Sequence, residues 1–395
     1  MFPKLRFKEF DGDWSAVSLL EISTLITKGT TPKQFIEGNI NFLKIEAINQ
    51  NGFDLSKCQT ISDEINNKEL KRSILMEGDI LFAIAGATIG KNAIVQKELL
   101  PANTNQALAI IRLKENYSKV FISKVLNSPL MEKYIDINIS TGAQPNLNLQ
   151  QIGSFSFALP NLEEQTKIAF FLSTVDEKIR QLKQKHELLS QYKQGMMQKL
   201  FSQQIRFKAD DGSEFEEWAS EKISKVFTNK SKSFNPLLNE SLPCIELEHL
   251  SPNTGQILGT VNSSDQQSTK NLFEPNSVLY GKLRPYLRKF AKPQFKGVCS
   301  SEIWVLTGLK ISNDYLFQFV QSEQFTELTN IQSGSKMPRA DWNVIADAEI
   351  EFPCLEEQTK IANFLSAIDQ KINVVSGQIE QAKTWKKGLL QQMFV

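Results

Sequence analysis

Leu162–Leu172 reads LEEQTKIAFFL, and Leu355–Leu365 reads LEEQTKIANFL. Ten of the eleven positions are identical, with Leu355 standing 193 residues after Leu162. A segment that recurs whole at a fixed separation marks a duplicated unit. The same separation pairs Pro160 with Pro353, Gly195 with Gly388 and Phe201 with Phe394. Each copy also opens on an echo. LRFKEFDGDW (Leu5–Trp14) returns as IRFKADDGSEFEEW (Ile205–Trp218), with four more residues before its Trp. Between these matched segments the halves diverge, leaving only faint pairs. Ile45-Glu46 answers Ile245-Glu246, Asp79–Phe82 answers Ser277–Tyr280, and STGAQP at 140–145 answers QSGSKMP at 332–338. The order is therefore variable domain (1–158), matched helix (159–202), variable domain (203–351), matched helix (352–395).

The matched segments are helical by pattern. A proline followed closely by Leu-Glu-Glu-Gln places two acids in a first turn, where the helix dipole favours them. A 4–3 spacing then runs through Ile168, Leu172, Val175, Ile179, Leu182, His186, Leu189, Lys193, Met196 and Leu200. Its counterpart runs through Ile361, Leu365, Ile368, Ile372, Val375, Ile379, Ala382, Lys386, Leu389 and Met393. That is a sustained heptad seam. Each helix covers roughly 40 residues, about 60 Å of length. A seam so narrow has to meet another helix. Either it forms a parallel coiled coil with a second chain, or the two helices of one chain pair antiparallel; the second arrangement uses both seams at once and is the one expected. Lys193 and Lys386 interrupt the seam at equivalent places. They either snorkel from its edge or fix its register. His186, opposite Ile379 in the repeat, reads as a tolerated seam residue rather than a ligand.

Both variable domains read as mixed helix and strand, so the fold class is α+β: two mixed domains separated by two long helices in an intramolecular antiparallel coiled coil, with a pseudo-twofold internal repeat. β-rich runs at Asp79–Ala85, Ala107–Leu113 and Glu302–Leu306 are separated by Gly, Asn and Ser turns. Helical stretches are expected near Ser118–Asn127 and Asn313–Ser322.

Net charge is +1, from 45 basic and 44 acidic residues, so bulk charge does not mark a nucleic-acid binder. Local clusters have to carry that idea. KLRPYLRKFAKPQFKG (Lys282–Gly297) holds six Lys or Arg with Tyr286, Phe290 and Phe295 interleaved. Lys282, Arg284, Tyr286, Arg288 and Lys289, with Ser300, Ser301, Lys336 and Arg339, are its candidate DNA contacts. Such side chains meet phosphates, and an arginine fits the guanine edge bidentately. The same run also fits an ordinary solvated strand and turn. In the first domain the corresponding stretch, Gly86–Lys97, is much less charged. That domain's polar loops supply Lys28, Thr30, Thr31, Lys91, Asn103, Thr104, Asn105, Gln106, Gln144 and Asn146, amides and hydroxyls that suit adenine edges or the backbone.

Catalytic signatures fail on inspection. Gly86-Ala-Thr-Ile-Gly90-Lys91-Asn92 follows a strand like a phosphate loop, but it has three residues between its glycines where four are needed, and Asn where magnesium needs Ser or Thr. His186 and His249 are the only histidines, and neither has a partner at metal-ligand spacing; His249 reads as a strand end. The nearest approach to an amino-methyltransferase motif, Asn235-Pro236-Leu237-Leu238, lacks the second proline and the aromatic residue. Cys58, Cys244, Cys299 and Cys354 are widely scattered, a pattern suited to a reducing cytoplasm. No apolar run is long enough to span a bilayer. The expectation is a chain without catalytic centre, metal or cofactor of its own.

Over nearly its full length the sequence resembles the specificity (HsdS) subunits of type I restriction–modification systems. The resemblance rests on Pro3–Trp14, on GDILFAIAGATIGK (Gly78–Lys91), on Leu279–Leu287, and on the twice-repeated Leu-Glu-Glu-Gln-Thr-Lys-Ile-Ala after a proline. It implies two target-recognition domains, each reading one half of a bipartite, asymmetric double-stranded DNA target, joined by helices that set the gap. It also implies docking of two modification (methyltransferase) subunits holding S-adenosylmethionine, and of restriction subunits using ATP and Mg. The competing expectations are a coiled-coil interaction scaffold without DNA specificity, and a solo nuclease or methyltransferase with unfamiliar motifs.

Overall fold

The computed structural model describes residues 3–49, 52–86, 88–139, 145–331 and 337–394. It divides into two compact units, residues 1–183 with 377–395, and residues 184–376. Each unit therefore holds one variable domain and a half of each long helix.

In the first unit, strands Ser23–Lys28, Leu108–Leu113, Ile80–Ala83 and Asn92–Ile94 lie in that order in an antiparallel sheet. A smaller sheet orders Gln59–Ile61, Ile40–Leu43 and Ala102–Thr104, the last two parallel. Strand side chains alternate between faces, and here each face has its own core. Ile80, Phe82, Ala109 and Ile111 join the cluster that includes the long helices. Leu81, Ala83, Leu108 and Ile110 join the second cluster with Leu43 and Val95. Burial on both faces explains why these strands are runs of apolar residues rather than alternating ones.

The second unit repeats the plan. Phe227–Thr228, Ile303–Gly308, Val278–Gly281 and Phe290–Ala291 form its four-stranded sheet. Val278, Tyr280, Trp304 and Leu306 face the helix-side core, while Leu279, Ile303 and Val305 face the other. A parallel pair, Pro243–Ile245 with Gly297–Cys299, matches the one in the first unit. The expected helices are Lys119–Leu126 and Asn313–Phe319, each with a serine at its N-cap accepting from the third residue onward.

The long helices are Leu162–Phe201 and Leu355–Met393. In the first unit Ile168, Leu172, Val175 and Ile179 share a core with Leu389, Leu390, Met393 and Phe394. In the second, Met197 and Leu200 share a core with Ile361, Leu365 and Ile368. In both, the early part of one helix meets the late part of the other, so the pairing is antiparallel and within one chain. Leu182, Val375 and Ile379 are also buried, and Leu189 and Ile372 half-buried. The seam shifts by one residue near the end of the central helix: Met197, not Met196, is the fully buried methionine, with Met196 packed beside it.

The repeated Leu-Glu-Glu-Gln motif fastens each domain to its helix. The second Glu is not a solvated first-turn acid. Glu164 is wholly buried and receives Arg6 at 2.7 and 2.8 Å and the Trp14 indole at 3.2 Å. Glu357 receives Arg206 at 3.2 and 2.8 Å and Trp218 at 3.1 Å. The following Gln closes the next join. Gln165 accepts from the Ser118 N–H and donates to the Pro160 carbonyl; Gln358 does the same with Ser312 and Pro353. Buried charge has to be paired in this way to be tolerated, which accounts for the motif being kept in both copies.

Candidate nucleic-acid interface

In each unit the candidate residues gather on loops at one end of the four-stranded sheet. In the first, Gly29 N–H donates to Leu108 O (3.2 Å) and Thr30 N–H to Thr104 O (3.1 Å). Ile84 N–H donates to Ala107 O (3.0 Å), Gly86 N–H to Pro145 O (3.2 Å), and Leu147 N–H to Ile84 O (2.9 Å). These bonds lay the loops around 28–31, 105–107, 84–90 and 145–147 side by side. The Thr31 hydroxyl donates to Gln106 Oε1 at 2.5 Å. Lys28, Thr31, Gln106 and Asn146 are exposed, and Thr30, Lys91 and Asn105 half-buried. Gln144 lies outside the described residues.

Asn103 and Thr104 leave the candidate surface. Both are fully buried in the strand Ala102–Thr104. Asn103 donates to Asn66 Oδ1 (2.8 Å) and Leu70 O (3.1 Å), and Thr104 to Leu43 O (2.8 Å). Their polarity satisfies the parallel strand junction, leaving nothing for DNA.

The second unit repeats the loop bonding with different side chains. Lys282 N–H donates to Glu302 O (2.9 Å), Arg284 N–H to Pro338 O (2.8 Å), and Ala340 N–H to Lys282 O (2.9 Å). Ser300 and Ser301 sit at the head of the strand Ile303–Gly308, Ser301 exposed. Arg339 is exposed but engaged by Glu302 at 3.1 Å. Lys336 lies outside the described residues. Much of the basic run is occupied. Lys289 Nζ donates to Leu247 O at 2.6 Å, Arg288 Nη2 donates to Gln321 O, Lys292 pairs with Asp314, and Lys296 with Glu274 at 3.1 Å. Among the described residues, Lys282, Arg284 and Tyr286 make no side-chain bond, and the last two are exposed. The sixteen-residue run thus reduces to one short loop tip.

Behind that loop, Arg288 lines a cleft with Lys193, Gln321, Asp369 and His186. Lys193 Nζ donates to Gln321 Oε1 (2.7 Å) and to Asp369, so the loop's rear is tied to the helix pair. His249 closes a 3-10 turn, its Nδ1 accepting from the Glu246 N–H at 3.0 Å, rather than ending a strand. Cys244 and Cys299 are fully buried; burial pushes the Cys244 thiol up to about 11, with Glu246 adding to the rise, and pushes Cys299 higher still, away from the exposed thiolate that a reactive cysteine presents. Among the described residues no cluster of three or more His, Cys, Asp or Glu is placed to hold a metal, and no helix is long and apolar enough to cross a membrane. Sequence reasoning missed the anchors Arg6, Trp14, Glu164 and their counterparts, although each recurs in both copies and that recurrence was the signal.

A family model described as the type I restriction modification DNA specificity domain matches this chain twice, over residues 11–191 and 216–384. The chain belongs to that specificity family. Among curated relatives of this specificity subunit, the MjaVIII specificity subunit of Methanocaldococcus jannaschii is 25% identical, over 97% of this chain and 94% of its own. The EcoDI specificity subunit of Escherichia coli is 25% identical over 63% of each. Among solved structures, the S subunit of a type I system from M. genitalium aligns with a TM-score of 0.58 at 15% identity, over 100% of this chain and 99% of that one. A chain from another type I system aligns at 0.61 and 15%, over 98% of each. At such identities the structures speak for the fold. The two family matches fall on the two copies of the repeat, so both variable domains of this specificity subunit are counterparts of one recognition module.

Proposed function

We propose that this chain selects the DNA target of a type I restriction–modification complex and supplies no catalysis itself. Each domain presents the loops at the end of its four-stranded sheet to one half of a bipartite, asymmetric target. The long helices set the gap between half-sites and dock two methyltransferase subunits, which bring S-adenosylmethionine; restriction subunits bring ATP and Mg. One observation carries this reading: anchoring is identical in the two copies while the loop tips differ. Two equal partners require two equal docking frames, and two different half-sites require two different reading surfaces. Phosphate contacts position such a surface, and the differing side chains give it sequence. The near-neutral charge fits a chain whose partners share the phosphate contacts.

The test is to assemble the chain with a type I methyltransferase subunit and map the methylated adenines on random-sequence DNA. A two-part, non-palindromic target is the expected result. Replacing residues 1–158 with another recognition domain should change one half only. A complex that methylates without sequence preference, or a chain that only dimerises and ignores DNA, would return the scaffold reading.

A further inference from the structure

The loop tips of the two units share a backbone but not a residue type. Gly86 and Arg284 occupy the same place: each follows the strand, donates its N–H to a proline carbonyl (Pro145 or Pro338), and comes next after a bridging residue, Ala85 or Leu283. Gly90 and Arg288 match in turn, each directly before the residue whose carbonyl returns to the strand, Lys91 or Lys289. All four have left-handed backbone. Gly86 and Gly90 have φ of 80° and 92°, and Arg284 and Arg288 have φ of 52° and 49°. Glycine takes that conformation freely, whereas a side chain with a Cβ resists it. The second domain accepts that strain twice in five residues, where its sister shows that glycine serves. Strain is retained where a side chain is needed.

For Arg288 the need is visible in the structure, because its guanidinium donates to the Gln321 carbonyl and ties the loop to the helix-side cleft. It is a positioning residue. Arg284 has no such use. Its side chain is exposed and bonds to no described residue, while its backbone is held by Pro338 and by the turn that Leu287 closes onto its carbonyl at 2.9 Å. Pro285, buried and following directly, fixes the turn. A held backbone with an unengaged fork at its tip is a reader. We infer that Arg284 is the specificity-determining residue of the second domain, its guanidinium donating to the O6 and N7 acceptors of a guanine in the major groove. The first domain, with Gly86 there and no described residue beyond its chain neighbours within 4 Å of where a Cβ would stand, reads its half-site without that fork.

This inference rests on the DNA-reading proposal, and the experiment separates the two. The full chain, assembled with its methyltransferase, is compared as wild type, Arg284→Gly and Arg284→Lys on targets carrying every single base-pair substitution in the second half-site. Arg284→Gly should melt no lower than wild type, since glycine relieves the backbone. It should lose about tenfold or more in methylation of the full target. Discrimination should collapse at one G·C pair and persist elsewhere, with Arg284→Lys failing to restore it because lysine lacks the fork. An equal loss on every target, rescued by lysine, would make Arg284 a phosphate contact and overturn the assignment. So would unchanged specificity in Arg284→Gly. Absence of any preferred target for the wild-type complex would instead sink the DNA-reading proposal itself.

Discussion

Lys193 Nζ lies 2.6 Å from Asp369 Oδ1 within the helix seam of the second unit, and its copy Lys386 lies 2.6 Å from Asp176 Oδ1 in the first. The two bridges exchange partners between the copies of the repeat, each joining the lysine late in one helix to the aspartate early in the other. Burial lowers the Lys193 pKa, and Asp369 works against that pull. A slip of the helices by one turn would leave a buried ammonium unpaired, so the bridges specify one register. Lys193→Met should lower stability by about 1–2 kcal/mol, less than a fully buried pair because Asp369 is partly exposed. The reversed pair Lys193→Asp with Asp369→Lys should recover part of the loss that either substitution causes alone. Chemical denaturation of the four proteins checks this, and strictly additive effects would remove the bridge from the account of register.

Asp176 predicts a pH dependence. Its burial pushes the carboxyl up, but hydrogen bonds from Lys124 and Lys386 outweigh burial and hold it below its ordinary 3.8. A carboxyl with a lowered folded pKa gives stability that is fully present above the unfolded value and is lost as pH falls through the folded one. Asp176→Asn should therefore melt lower than wild type at pH 7, with the gap closing as pH drops below about 4. A gap that stayed constant down to pH 2 would show that the carboxylate charge contributes nothing there.

The domain anchors should fail locally. Glu164→Ala leaves Arg6 and Trp14 without their buried acceptor, at a cost of about 3–5 kcal/mol. Proteolysis should then open residues 3–14 while leaving the second unit intact, and Glu357→Ala should do the converse around residues 205–218. Simultaneous unfolding of both units in either variant would show that the anchors act globally.

The repeat, the helices and their antiparallel pairing were legible because a heptad seam and a duplicated motif leave periodic marks that survive without any neighbour. Lys193 was legible as a break in the seam, with snorkelling and register-setting both open, but its partner was not: Asp176 and Asp369 lie on the polar side of the pattern, and only the antiparallel alignment brings them across. Glu164 misled in the same way, since an acid in a first turn satisfies the dipole rule before any burial is known. Asn103 and Thr104 look like loop residues by composition, and only the parallel strand pairing buries them. The basic run narrows to its loop tip because sequence counts cations and cannot see Glu274, Asp314 and the Leu247 carbonyl engaging Lys296, Lys292 and Lys289.

Helix length supplies the last prediction. Both long helices cross from one compact unit to the other, at residues 183–184 and 376–377. Seven residues added to one helix alone would displace that seam against its partner, and the two Lys–Asp bridges could not both form. Seven added to each, at those two points, keep the heptad phase and restore both bridges. The pair would then be about 10 Å longer at ~1.5 Å per residue, equivalent to about 3 base pairs at ~3.4 Å each. Assembled with a type I methyltransferase subunit, the doubly extended chain should direct methylation to targets whose unread centre is longer by about that number, with both half-sites unchanged. Altered half-site bases, or an unchanged gap, would show that the helices carry the recognition domains without setting their spacing on DNA.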